Sequence, residues 1–96
     1  MITVRREWLA KDGLLDEAID NAKEYRKRFD TSSSWRVYTP FSETYRIMVE
    51  EDYENFAESE EKWAERGNLP EFGSWIEEWR RVAVENSLAF NYLEQY

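Results

Sequence analysis

The sequence predicts an α+β domain: a four-stranded antiparallel sheet with helices on one of its faces. Three observations point there. Strand-like alternation stands at residues 2–9, 35–39, 44–50 and 87–96, apolar residues recur at steps of three and four between those runs, and turn-forming residues fall at the junctions. Ninety-six residues make one domain, residues 1–96, with a single hydrophobic core.

The elements follow in order. Residues 2–9 hold Thr, β-branched Ile and Val, and Trp, and Asp12-Gly13 breaks that first strand. Asp12 is the expected N-cap of a helix in which Leu15, Ala18, Ile19, Ala22, Tyr25 and Phe29 form an amphipathic stripe. Asp16 and Glu17 near its start and Lys23, Arg26, Lys27 and Arg28 toward its end suit the helix dipole. Residues 30–34 are turn-rich and end it. Residues 35–39 form the second strand, Pro40 belongs to the turn or a sheet edge because it cannot donate to a ladder, and residues 44–50 form the third strand. Asp52 is the expected cap of the next helix, whose inner stripe is Tyr53, Phe56, Ala57, Trp63 and Ala64 and whose end is Gly67. Pro70 then opens a second piece in which Phe72, Trp75, Ile76, Trp79, Val82 and Ala83 give the cleanest helical period of the chain. Residues 87–96 close it as the last strand. Strand, helix, strand, strand, two helical pieces, strand is a split β-α-β order, and its sheet has helices on one face only.

The other face must meet solvent or a partner. Strand period two sends Tyr45, Ile47 and Val49 under the helices and Arg46, Met48 and Glu50 to the open side. Val37 and Trp35 join the core, leaving Arg36 and Tyr38 with the open set. The first strand is ambiguous, for Ile2, Val4 and Trp8 share a face with Arg6. Arg36, Tyr38, Arg46, Met48 and Glu50 are therefore the candidate ligand-binding residues: charges among aromatics, as in small-molecule pockets. The plainer reading of Arg36, Arg46 and Glu50 is cross-strand ion pairing in a hairpin or subunit interface, and it outweighs a ligand role.

Composition excludes more than it assigns. A formal net charge of −8 argues against a nucleic-acid or anionic-membrane partner, which would repel the chain. No run has the length of a membrane span and no signal-peptide core is visible, so the expected location is the cytoplasm. Cysteine and histidine are both absent, which removes disulfides, thiol nucleophiles, Cys/His zinc sites and His-based triads. No metal or other cofactor is expected. Aromatic residues are 17% of the chain, five of them Trp, more than one small core hides, and this favours an oligomer.

Other constellations yield to structural explanations. Glu50 and Glu51 are consecutive on a strand and face opposite ways, so they cannot form a carboxylate pair for acid–base work. The acidic run Glu54, Glu58, Glu60, Glu61 and Glu65 reads as a solvated helix face, with Glu58 and Lys62 at helical i,i+4 spacing. Phe72, Trp75 and Trp79 read as core or interface rather than a ligand box, and Ser32 to Ser34 as a turn.

Tyr38-Thr39-Pro40-Phe41, then residues 44–50 and a helix near Asp52, resembles the NIPSNAP-like proteins of the dimeric α+β barrel superfamily. Lys11-Asp12-Gly13 before an Ala-containing helix, Pro70-Glu71-Phe72 ahead of Trp75 and Trp79, and Glu85-Asn86-Ser87 before the last strand extend the resemblance over nearly the whole chain. Where that family often has Gly-Pro in the hairpin turn, this chain has Ser42-Glu43. The resemblance implies a ferredoxin-like protomer whose open face meets a second copy, forming a barrel about a two-fold axis. It implies no mechanism, since superfamily members range from cofactor-free monooxygenases to haem enzymes. Relatives that use an axial His for haem are disfavoured because this chain has none.

Two readings result. One is a small-molecule-binding homodimer, with the chemistry of a cofactor-independent oxygenase, in which Arg36 or Arg46 holds an anionic oxygen beside Tyr38 and Glu50. The other is a non-catalytic structural or interaction dimer with a filled interior. The residues leave open whether the protein is an enzyme.

Overall fold

The computed structural model of the protein describes residues 1–29, 34–42 and 45–96. The elements are β1 (Ile2–Leu9), α1 (Leu15–Phe29), β2 (Arg36–Tyr38), β3 (Arg46–Tyr53), α2 (Phe56–Gly67), α3 (Phe72–Val82) and β4 (Ala89–Glu94). The strands pair in the order β2-β3-β1-β4, every neighbour antiparallel. This is the split β-α-β order the sequence predicts, with β1 beginning and ending at the expected residues.

The core lies between the sheet and the helices. Ile47 and Val49 of β3 and Trp8 of β1 meet Ala18 and Ala22 of α1 and Val82 of α3. The small side chains of Ala18 and Ala22, at most 1% exposed, bring α1 close to the sheet. Trp35 and Val37 pack against this cluster from the β2 side, as expected. A second cluster joins Tyr25 and Phe29 to Trp75, whose indole N–H donates to the Asn21 carbonyl at 2.9 Å. Phe72 and Trp79 pack there too, so the α3 stripe is core as expected.

Several boundaries differ for local reasons. Asp12 is not a cap: Gly13, at φ +77°, turns the chain, and α1 starts only at Leu15. The Asp12 carboxylate instead accepts a long hydrogen bond, 3.4 Å, from the Tyr45 hydroxyl. Asp52 is not a cap either. β3 runs on to Tyr53 because its last residues still pair with β1, and the N-cap of α2 is Asn55, whose side chain accepts from the Glu58 N–H at 2.9 Å. Glu58 in turn accepts from the Glu54 N–H rather than reaching Lys62, which pairs with Glu65.

Gly67 is the last residue of α2, and Asn68 is its C-cap. The stripe expected for α2 is also corrected. Phe56, Ala57, Trp63 and Ala64 are exposed, and the buried positions are Ser59 and Arg66. The helix is rotated so that Arg66 reaches a buried carboxylate under it. Tyr45 precedes β3 and is exposed rather than packed under the helices. The expectations for Glu43, Thr44 and residues 30–33 lie outside the described residues.

Candidate functional site

The open face of the sheet collects all five predicted site residues. Arg36 stands opposite Glu50 and Tyr38 opposite Met48, and alternation along β3 adds Arg46. Arg5 and Glu7 of β1 and Asp52 of β3 supply its other charges. Its charges neutralise one another: Glu50 pairs with Arg5 at 2.7 Å and Arg36 at 3.4 Å, Asp52 pairs with Arg36 at 3.0 Å, and Arg46 stands 3.9 Å from Glu7. The Arg36 guanidinium holds the Asp52 carboxyl below the usual carboxylate range, with help from the Thr3 hydroxyl, which donates at 2.8 Å. The same pairing raises Arg36 above the ordinary arginine value.

The helix side carries a second polar group that sequence reasoning left undecided. Arg6 lies there, between Val4 and Trp8, and donates to Glu51 through Nη2. Arg66 descends from α2 and donates through Nη1 to Glu51 at 2.7 Å and to the Tyr25 hydroxyl at 2.9 Å. The Tyr53 hydroxyl donates to Glu51 at 2.5 Å. Glu51 is 3% exposed, Arg6 6% and Arg66 7%, so this is a buried ionic cluster and not a surface one. Burial first, and the nearby Glu51 charge next, push Tyr53 up. Burial likewise raises Tyr25. Both phenols are thereby kept neutral and able to donate. Burial works against the charge of Arg66, but Tyr25 and Glu51 outweigh it and its pKa is raised. The alternation that separates Glu50 from Glu51 had a corollary: Glu51 shares a face with Ile47 and Val49 and needs a cation there, which Arg6 supplies.

Cavities adjoin this cluster. All five tryptophans of the chain, Trp8, Trp35, Trp63, Trp75 and Trp79, line one cavity of about 50 Å³ together with Arg6. A wider groove of about 280 Å³ runs between α2 and the β1–β4 edge, walled by Arg6, Glu51, Tyr53, Trp63, Phe90 and Tyr92 among others. Arg6, Trp63 and Phe90 belong to both walls. The Arg6 guanidinium lies 4.6 Å from the Tyr25 ring centroid and 5.2 Å from that of Trp63, within cation–π range of both. The indole N–H groups of Trp8 and Trp35 are buried without an acceptor among the described residues. None of Arg36, Tyr38, Arg46, Met48 and Glu50 lines either cavity.

Four antiparallel strands in the order β2-β3-β1-β4, covered by helices on one side, define a ferredoxin-like α+β protein. Comparison with solved structures places the fold more narrowly. The chain is similar to a NIPSNAP domain protein from Burkholderia xenovorans, with TM-score 0.81 and 12% identity over 100% of this chain and 95% of that one. It is similar to a NIPSNAP family protein from Agrobacterium tumefaciens, with TM-score 0.78 and 9% identity over 99% and 92% of the two chains. It is also similar to an antibiotic biosynthesis monooxygenase, with TM-score 0.74 and 8% identity over 100% and 99%. No family model matches the chain, and no curated protein does. At such identities the likeness is one of fold, and at that level the resemblance read from the hairpin holds. Among the described residues no helix is long and apolar enough to cross a membrane.

Proposed function

We propose that the protein is a small-molecule-binding dimeric α+β barrel, whose two copies join through their open sheet faces and each hold a ligand on the helix side. The observation that carries the ligand half is a groove of about 280 Å³ that shares Arg6, Trp63 and Phe90 with a smaller cavity lined by all five tryptophans. A cavity of roughly 150 Å³ holds a benzene ring, and the groove's volume of about 280 Å³ admits a larger, two-ring molecule.

The dimer half rests on the open face. Arg5, Arg36 and Arg46 stand among Glu7, Glu50 and Asp52, so two such faces meet without net repulsion. Every residue of β4 is exposed, Leu93 included, and a second copy would cover apolar surface there. In this reading Arg36, Tyr38, Arg46, Met48 and Glu50 serve the subunit interface, and the ligand lies across the sheet from them. Size-exclusion chromatography with light scattering should give twice the chain mass. Titrating small aromatic compounds should quench the tryptophan fluorescence. A monomer at micromolar concentration sinks the first half, and unchanged fluorescence with a water-filled groove in a liganded crystal soak sinks the second. Arg46→Ala separates the two locations: dissociation with binding retained supports the helix side, and loss of binding in an intact dimer moves the ligand between the sheets.

Cofactor-independent oxygenase chemistry is the second reading. It is favoured by Arg6, whose buried guanidinium lines both cavities and would stabilise a substrate oxyanion, and by the name of one structural neighbour. Oxygen uptake dependent on an added aromatic substrate tests it.

A further inference from the structure

We infer that the helix-side site is built for a planar aromatic carboxylate, with Arg6 gripping the carboxylate and the rings of Trp63, Phe90 and Tyr92 holding its apolar body. This assignment rests on the groove being the ligand site. A guanidinium presents two donor edges that share Nη2. Glu51 takes a hydrogen bond from Nη2 alone, so the edge turned away from Glu51 keeps two N–H groups. Neither Nε nor Nη1 donates to a protein acceptor among the described residues, and neither is sealed off as a buried unpartnered atom; Arg6 lines both cavities.

The side chain is 8% exposed and flanked by Tyr25 and Trp63, so the guanidinium plane is held in one orientation before any ligand arrives. Two parallel N–H groups match the two oxygens of a carboxylate better than the single oxygen of a phenol or ketone. The apolar end is equally defined. Phe90 and Tyr92 stack at 14° with centroids 6.5 Å apart, and Trp63 stands edge-on to Phe90 at 6.0 Å. All three rings are more than a third exposed, at 39%, 48% and 38%, on the groove wall where a flat molecule would cover them. Glu60 of α2 also reaches the groove and disfavours a carboxylate placed beside it.

The test is calorimetric titration of the full chain with naphthoate and with the neutral naphthamide of the same ring position. Naphthoate should bind at least about tenfold more tightly, the scale of one charge-assisted hydrogen bond. Arg6→Lys, which keeps the charge but not the fork, should erase most of that preference. Tyr92→Ala, in the exposed edge strand β4, should weaken both compounds by a similar factor without altering their ratio. Equal affinities in the native chain overturn the carboxylate assignment and leave the cavity reading standing. Binding of neither compound overturns both. Should Arg6→Lys fail to fold, a crystal of the native chain soaked in naphthoate decides: a carboxylate seated on the free edge of Arg6 supports the assignment, and one seated elsewhere overturns it.

Discussion

Replacing Glu51 by leucine should remove a large part of the stability of this domain. The side chain is 3% exposed and accepts from Arg6, Arg66 and Tyr53. Arg6 has no other carboxylate partner among the described residues, and its side chain is 8% exposed. Glu51→Leu therefore leaves a guanidinium buried without its counter-charge, a change that costs about 3–5 kcal/mol. A chain of this length has a total of about 5–14 kcal/mol, so the variant sits near the edge of folding. With a urea slope of about 1.5 kcal/mol/M, the unfolding midpoint should fall by about 2–3 M at fixed protein concentration.

The companion variant makes the argument specific. Glu51→Leu combined with Arg6→Met and Arg66→Leu removes the charges together, and replacing a buried ionic group by apolar side chains is often neutral or stabilising. The triple variant should recover most of the lost midpoint. A drop below about 1 kcal/mol for Glu51→Leu, or a triple variant less stable than the single one, would refute the view that this cluster is a buried, mutually dependent unit.

Three further outcomes follow from the same geometry. Asp52 has a folded pKa below its unfolded one, so its contribution is full at neutral pH and is lost as pH falls from about 4; Asp52→Asn should flatten the acid limb of a stability–pH curve. Tyr25 and Tyr53 are raised, so their contribution is present below the ordinary phenol value of about 10 and lost as pH rises through their folded values. Ultraviolet titration should show a late-ionising component, and Tyr53→Phe should reduce it. Asn55→Ala deletes the α2 cap and should cost about 1 kcal/mol in denaturant melts, against little for Asn55→Ser.

What was legible in the sequence was whatever a short-range period encodes. The alternation of Ile47, Val49 and Glu51 against Arg46, Met48 and Glu50 survives intact, because strand geometry leaves a side chain only two directions. The stripe of Phe72, Trp75 and Val82 likewise marks the inner face of α3. The element order sufficed for the fold class, and both misplaced caps, Asp12 and Asp52, lie within three residues of a true boundary.

The candidate site was hidden for a different reason. Arg6, Glu51 and Arg66 are 45 and 15 residues apart along the chain, and no local pattern distinguishes a buried charge from a solvated one. Trp63 and Phe90 look like ordinary members of a helix stripe and a strand. The residues by themselves determined which face each side chain takes and how the strands succeed one another. Only the tertiary structure decided which buried ions meet, how α2 rotates to bring Arg66 to Glu51, and that all five tryptophans surround one space, because those depend on distances set by pairing and packing between elements far apart in the chain.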